Sequence, residues 1–140
     1  MVEIIAGGKG SGKTQELLNR VEGDLKEAQG DIIYIDKSAK QMYKLDRRIR
    51  LINMADFPVD STEEFLGFLS GAISQNSDIE EIGLDSFLTI ASIDTSEGLK
   101  MAIEKLDVIS EKFSVKFLLC ISKDEVPFPE SVKAKVIVDL

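Results

Sequence analysis

The sequence predicts an α/β fold, a three-layer sandwich built on a mainly parallel, five-stranded sheet. Short apolar runs alternate along the chain with segments whose apolar residues recur every three or four positions, which is typical of strands alternating with helices. Parallel strands need crossover helices, and these cover both faces of the sheet. A chain of 140 residues can bury one continuous core, so we expect a single domain over residues 1–140.

The first predicted unit is a strand, a glycine-rich loop and a helix. Residues 2–6, VEIIA, form an apolar run typical of a buried strand, and residues 7–14, GGKGSGKT, follow directly. Apolar residues then recur at helical spacing as far as Gly30, which offers a stop. They are Leu17, Leu18, Val21, Leu25 and Ala28.

The rest of the chain continues this alternation. Further strands are predicted at residues 31–36, 48–53, 79–86 and 115–122, with a last short strand at 134–140. A capping box, STEE at 61–64, predicts a helix capped by Ser61 or Asp60. A second helix, capped by Asp94 or Thr95, is predicted to run to about Lys112.

The acidic composition argues against nucleic acid as a partner. The net charge is −8, and nucleic-acid binding draws most of its affinity from neutralising phosphates. Residues 37–50, KSAKQMYKLDRRIR, are the exception, with six basic residues against Asp46. This basic segment is either a solvated surface that balances the acidic charge or a patch that faces phosphates or an acidic partner.

The sequence predicts a cytoplasmic protein without a membrane span. No stretch approaches the roughly 18 apolar residues typical of a spanning helix, and the first residues lack the pattern of an export signal. The single cysteine, Cys120, lies in the apolar run FLLCIS and is predicted to be a core residue.

Residues 7–14 satisfy the P-loop pattern G-x-x-x-x-G-K-S/T. A polyphosphate needs backbone N–H groups turned inward around a curve, which glycine permits because it has no side chain and tolerates positive φ. The helix that follows adds unpaired N–H groups and the positive end of its dipole. We therefore expect the phosphates of a nucleotide to be bound by Gly7, Gly8, Lys9, Gly10, Ser11, Gly12, Lys13, Thr14 and Gln15.

Two residues are candidate ligands of Mg²⁺. The hydroxyl of Thr14 is one, and Asp85, which ends the apolar stretch IGLD, is the other. Lys13 is expected to act in catalysis by reaching the β- and γ-phosphates.

The order of these elements resembles that of the RecA-like ATPases, a superfamily of P-loop NTPases. The glycine loop and the strand that ends in Asp85 and Ser86 carry this resemblance. A weaker similarity, through the loop and IGLD, joins the chain to the thymidine kinases, whose zinc-binding cysteines it lacks. The resemblance implies ATP and Mg²⁺ as cofactors, and a protein partner or further copies of the chain as partners.

The chain departs from both families at the catalytic base. RecA-like enzymes carry a glutamate just after the second strand, where this chain has Ser38, and thymidine kinases carry one where it has Ser86. Asp36 is the candidate substitute. Since a general base contributes about 10²–10⁴ in rate, the resemblance implies slow hydrolysis.

Several functions follow from these patterns. The first is an ATPase that hydrolyses ATP slowly or is stimulated by a partner. In this hypothesis Arg47, Arg48 or Arg50 stabilises the transition-state charge in the site of a neighbouring subunit. The alternative is a non-hydrolysing switch module whose residues 37–58 respond to the nucleotide. A phosphotransferase with the basic segment as its lid, and a GTPase, are further alternatives. SKDE at 122–125 resembles the guanine-reading motif of GTPases but lacks both reading residues.

Overall fold

The computed structural model describes residues 1–140 and contains one sheet of six strands, not five. The strands are β1 Val2–Gly7, β2 Asp31–Asp36, β3 Ile49–Asn53, β4 Ile79–Leu84, β5 Lys116–Ser122 and β6 Val136–Asp139. Their order is β3-β2-β4-β5-β1-β6, and every neighbouring pair is parallel. The expected number of five was wrong because all six predicted strand segments join one sheet, with the short run at the carboxyl end paired to β1 as an edge strand.

The helices connect these strands as the alternating pattern predicts. They are α1 Lys13–Leu25, α2 Thr62–Gln75, α3 Phe87–Ile90, α4 Ser96–Phe113 and α5 Glu130–Lys133. The basic segment contains one 3₁₀ turn, Met42–Lys44, and a second 3₁₀ turn covers Met54–Asp56. The longest helix, α4, has 18 residues, and neither it nor any other helix combines the length and the apolar character needed to cross a bilayer.

Side-chain caps fix where two of the helices begin. The hydroxyl of Ser61 accepts a hydrogen bond from Glu64 N at 3.1 Å, which starts α2, and Thr95 Oγ1 accepts from Gly98 N at 3.0 Å, which starts α4. Of the alternative caps that the sequence offers, Ser61 and Thr95 are therefore the ones used. Each cap satisfies an N–H group that the first helical turn would leave unpaired.

The core lies on both faces of the sheet and is unequally divided. On one face, helices α2, α3, α4 and α5 contribute to a cluster of 27 buried residues, and on the other α1 packs over a cluster of 10. Neighbouring strand residues point to opposite faces, so that Ile4 belongs to the larger cluster and Ile5 to the smaller one. This arrangement is the three-layer sandwich that the sequence predicts.

The parallel register brings four strand ends to one edge of the sheet. Gly7 at the end of β1 pairs with Ser122 at the end of β5, and Ile35 near the end of β2 pairs with Leu84 at the end of β4. The glycine loop follows β1 and Asp85 follows β4, with β5 between them. Ligands of open α/β sheets bind at this carboxyl edge, which is where the candidate site lies.

Candidate phosphate-binding site

A cavity of about 720 Å³ opens at the carboxyl edge of the sheet, between the glycine loop and the ends of β4 and β5. Its lining consists of residues 9–14, 37, 85–89, 120, 122, 124 and 125. Three of these 16 residues are hydrophobic, so most of the lining residues are polar, charged or glycine. Its walls combine lysine side chains, hydroxyls and carboxylates, which suits a charged ligand bound with a cation.

The glycine loop turns tightly because two of its residues adopt left-handed backbone conformations. Gly10 has φ 77° and Gly12 has φ 95°, values that residues with a side chain rarely adopt. Ser11 N donates to Gly8 O at 3.2 Å and closes the curve. A Cβ at position 7 would displace the Ser11 hydroxyl and would lie 3.2 Å from side-chain atoms of Lys13 and Leu140, so Gly7 lets these side chains pack closely against the end of β1.

Helix α1 begins directly at the loop and has no side-chain cap. Gly12 occupies the N-cap position, and Glu16 N donates to its carbonyl at 3.1 Å. The N–H groups of the first turn therefore have no side-chain acceptor, which is the arrangement that binds anions at helix N-termini. Lys13 lies in this turn, and its ammonium folds back over the loop to donate to Gly8 O at 2.8 Å.

The structure places most of the predicted phosphate ligands around the cavity. Residues 9–14 line it, while Gly7 and Gly8 shape the loop behind them. The amide of Gln15 instead donates to Asn19 Oδ1 at 2.9 Å along the surface of α1.

The start of α1 is attached to β5 through Cys120. The Sγ atom of Cys120 donates a hydrogen bond to the backbone carbonyl of Lys13 at 3.3 Å. Burial, and then the charge of Asp85, raises the pKa of the Cys120 thiol, as expected for the predicted core residue.

Asp85 enters the same cavity from the end of β4. Only 3% of this residue is exposed, and both oxygens of its carboxylate accept a hydrogen bond. Oδ1 accepts from Ser86 N at 2.8 Å and Oδ2 accepts from Tyr34 Oη at 2.7 Å. The structure therefore brings Asp85 and Thr14, the two predicted ligands of Mg²⁺, to one cavity.

Tyr34 is a site residue that the sequence analysis missed. It is fully buried on β2, and burial followed by the charge of Asp85 raises the pKa of its hydroxyl far above the usual range. The hydroxyl therefore remains a hydrogen-bond donor to Asp85. The signal in the sequence is a tyrosine within the buried run DIIYID, because a buried hydroxyl needs a partner.

Asp36, the candidate base, lies at the end of β2 and is not among the residues that line the cavity. It is 4% exposed, and its Oδ1 accepts from Lys37 N at 2.7 Å. Burial, and then the charge of Asp85, raises the pKa of this carboxyl group. Its role as a base stays a prediction.

The structure brings two carboxylates besides Asp85 to the cavity, which the sequence analysis considered only as part of SKDE. Asp124 and Glu125 follow β5, and Asp124 Oδ2 accepts from Lys9 N at 3.4 Å. The turn that carries them is attached to the loop, because Lys123 N donates to Gly7 O at 3.1 Å. This proximity follows from the pairing of β5 with β1, which no local pattern in the sequence shows.

The basic segment contributes only Lys37 to the cavity. Arg48 forms an ion pair with Asp46 at 3.0 Å, and Arg48 and Arg50 line a separate groove of about 550 Å³ beside β3 and α2. None of the three candidate arginines of this segment lines the cavity of its own chain. Their proposed action on a neighbouring subunit stays a prediction.

The residues of the cavity fit Mg²⁺ bound together with a polyphosphate. The chain contains no group of three histidine, cysteine or acidic side chains arranged to hold a metal by themselves. Mg²⁺ is usually held by one or two protein oxygens, with water and phosphate oxygens completing its shell. Asp85 and Thr14 carry hard oxygen atoms of this kind, and the ammonium groups of Lys9, Lys13 and Lys37 bring positive charge to the same cavity.

Comparisons with known proteins show the fold. Neither a protein-family model nor a curated protein sequence matches this chain. Among solved structures, the chain is similar to the flagellar accessory protein FlaH from Methanocaldococcus jannaschii, with a TM-score of 0.60 and 17% sequence identity. The match covers 95% of this chain but 65% of that protein, less than two thirds of its length. The likeness supports a RecA-like α/β fold.

Proposed function

We propose that this chain binds Mg·ATP and hydrolyses it, slowly alone and faster with a protein partner or a neighbouring copy of the chain. The observation that carries the proposal is the shared cavity of Lys13, Thr14 and Asp85. These three residues come from the two ends of the site, the start of α1 and the end of β4. A lysine, a hydroxyl and a carboxylate in this arrangement are the parts that bind a triphosphate and its Mg²⁺.

Each residue would have a distinct role. The loop N–H groups and Lys9 would bind phosphate oxygens, and the ammonium of Lys13 would leave Gly8 O to bind the β- and γ-phosphates. Thr14 and Asp85 would hold Mg²⁺, which supplies charge neutralisation on the β- and γ-oxygens. Tyr34 would keep Asp85 in one orientation. The RecA-like fold supports this proposal, because it is a fold of nucleotide-binding proteins.

Single-turnover hydrolysis tests the proposal. Purified protein in large excess is mixed with trace Mg·ATP, and released phosphate is measured over time. We expect slow turnover that falls by about 10²-fold or more in Lys13→Ala, since removing one donor to developing charge has that order of effect. Lys100→Ala, which removes an exposed lysine from α4, is the matched control. Competition by unlabelled GTP measures the preference between adenine and guanine nucleotides.

A non-hydrolysing switch module is the second candidate, and one observation favours it. Lys37 lines the cavity, while the rest of the basic segment lies outside, with Tyr43 92% exposed. A change in the bound phosphates would therefore alter the contacts of Lys37 and, through Lys37, the exposed surface of the basic segment. The two candidates differ in turnover: ATP that is bound but remains intact supports the switch, and Lys13-dependent phosphate release supports the ATPase. Phosphate transfer to an added nucleoside would instead support a phosphotransferase.

A further inference from the structure

We propose that Asp124 is the carboxylate that takes the proton of the attacking water. The inference rests on the proposed ATPase function and names the base that the sequence leaves unassigned. It follows from the position of Asp124 beside the glycine loop, from its freedom from ion pairs, and from the burial of Asp36, which is not among the residues that line the cavity.

The contacts of Gly8 place Asp124 at the γ-phosphate end of the loop. Lys13, which is expected to bind the β- and γ-phosphates, donates to Gly8 O at 2.8 Å. Asp124 Oδ2 lies 3.4 Å from Lys9 N and 3.5 Å from the position that a Cβ of residue 8 would occupy. The ammonium and the carboxylate therefore lie beside the same loop residue, and a group bound by Lys13 would be close to Asp124.

The turn that carries Asp124 is fixed on both sides. Before it, Lys123 N donates to Gly7 O at 3.1 Å, and the Lys123 ammonium pairs with Asp139 of β6. After it, Val126 is buried in the larger core cluster. Its neighbour Pro127 accepts at its carbonyl from Ser96 Oγ at 2.6 Å. A base needs a defined position relative to the water that it activates, and this anchored turn provides one.

Apart from the 3.4 Å hydrogen bond from Lys9 N, Asp124 has no partner among the charged groups of the cavity. Asp85 accepts bonds from Tyr34 and Ser86 and is assigned to Mg²⁺, whereas Asp124 is exposed and forms no ion pair. A carboxylate beside a phosphate loop repels the phosphates. Such a cost is expected where the group does chemistry, and of the two carboxylates on this turn Asp124 is the one that contacts the glycine loop, through Lys9 N.

Asp36 is less suited to this role. It is 4% exposed, does not line the cavity, and already accepts from Lys37 N at 2.7 Å. Its buried carboxylate is less accessible to a water in the cavity than the exposed carboxylate of Asp124. Asp124 faces the cavity directly, so no rearrangement of the sheet is needed.

The proposed step balances as ordinary hydrolysis. The water oxygen forms a bond to the γ-phosphorus while the bond from that phosphorus to the β–γ bridging oxygen breaks. One water proton passes to a carboxylate oxygen of Asp124 and then to solvent. ADP leaves with the electron pair of the broken bond, and the products are ADP, inorganic phosphate and one proton.

The test compares Asp124→Asn with Asp36→Asn and the control Asp94→Asn, an exposed aspartate outside the cavity. Equilibrium binding of Mg·ATP and single-turnover phosphate release are measured for each variant, and circular dichroism checks folding. We expect Asp124→Asn to bind ATP within about threefold of wild type or more tightly, because a negative charge near the phosphates is gone. Its turnover should fall by about 10²-fold or more.

Each other outcome separates the inference from the proposed function. Two outcomes overturn the inference alone. One is a turnover of Asp124→Asn within about threefold of wild type. The other is a folded Asp36→Asn that loses turnover while Asp124→Asn retains it. A changed preference between ATP and GTP at an unchanged rate of hydrolysis also overturns the inference. Asp124 would then be a residue that recognises the nucleobase. Wild-type protein that binds ATP without turnover overturns the inference but leaves nucleotide binding intact. Wild-type protein that binds no ATP overturns the proposed function itself.

Discussion

The hydroxyl of Tyr34 donates a hydrogen bond of 2.7 Å to Oδ2 of Asp85, between two neighbouring parallel strands. Gly83 pairs with Tyr34 in the register of β2 and β4, and a Cβ at position 83 would lie 3.5 Å from the tyrosine ring. This pairing places the tyrosine ring beside the end of β4, where its hydroxyl reaches Asp85. Both oxygens of this carboxylate are engaged before any ligand arrives.

Tyr34→Phe is expected to destabilise the protein and to weaken its dependence on Mg²⁺. The substitution leaves Oδ2 of a buried carboxylate without a donor, which costs about 1–3 kcal/mol of unfolding free energy. A less firmly oriented Asp85 should raise the Mg²⁺ concentration needed for nucleotide binding. Urea denaturation and a Mg²⁺ titration of ATP binding measure the two effects.

Tyr43→Phe is the matched control for this prediction. It removes the same atom from a tyrosine that is 92% exposed, so its unfolding free energy should stay within about 0.5 kcal/mol of wild type. If Tyr34→Phe behaves like this control in both measurements, the hydrogen bond to Asp85 has no role in either stability or the metal site.

Two glycine substitutions should have opposite effects on stability. Gly12→Ala forces a side chain into a φ of 95° and should destabilise the protein by about 1 kcal/mol or more, with loss of nucleotide binding. Gly23→Ala lies within α1, where an added Cβ meets no atom within 4 Å, and should stabilise by about 0.5–1 kcal/mol. Urea denaturation of both variants measures this difference. Equal effects would mean that the loop tolerates a side chain at position 12.

Removal of the Ser61 cap should destabilise α2. Ser61→Ala deletes the acceptor of Glu64 N and should cost about 1 kcal/mol of unfolding free energy. Ser70→Ala, an exposed site within the same helix, is the control and should leave stability unchanged or slightly higher. Thermal or urea unfolding of the two variants tests the cap. A loss in Ser70→Ala equal to that in Ser61→Ala would show that the effect is not capping.

The parts of this fold that the sequence predicts are those encoded locally. The glycine loop lies within eight residues, the Ser61 cap lies within four, and the apolar spacing of α1 lies within one helix. Each of these patterns describes contacts between residues that are close in sequence, so the residue types are sufficient. Even the placement of Asp85 at the end of a strand follows from the run that precedes it.

The parts that the sequence does not predict depend on pairing between distant segments. Tyr34 contacts Asp85 across 51 positions, and Lys9 contacts Asp124 across 115. Both contacts exist because β4 lies beside β2 and β5 lies beside β1, and strand order is not a local property. The strand at the carboxyl end is predicted from its own residues, but its pairing with β1, which makes it the sixth strand of the sheet, depends on strand order in the same way.

A cluster of charges at the opposite edge of the sheet makes stability depend on pH. Lys116 Nζ lies 3.2 Å from Glu3 Oε1, 3.4 Å from Asp24 Oδ2 and 3.7 Å from Glu81 Oε1. The single ammonium group of Lys116 is thus shared by three carboxylates. Glu81 is 5% exposed, and its Oε2 is buried without a hydrogen-bond partner. Burial, followed by the neighbouring Asp24, raises the pKa of Glu81 from 4.5 to about 8.

Glu81 should therefore make the folded protein less stable as the pH rises. Between about pH 4.5 and pH 8 the unfolded chain releases this proton while the folded protein retains it, so the unfolding free energy falls by at most about 1.4 kcal/mol per pH unit. Glu81→Gln removes this contribution. In urea denaturation, the unfolding free energy of Glu81→Gln relative to that of wild type should therefore increase from pH 5 to pH 8. Glu104→Gln, an exposed control, should follow wild type across this range. Parallel curves for Glu81→Gln and wild type would mean that Glu81 is ionised in the folded protein, with Lys116 compensating its charge.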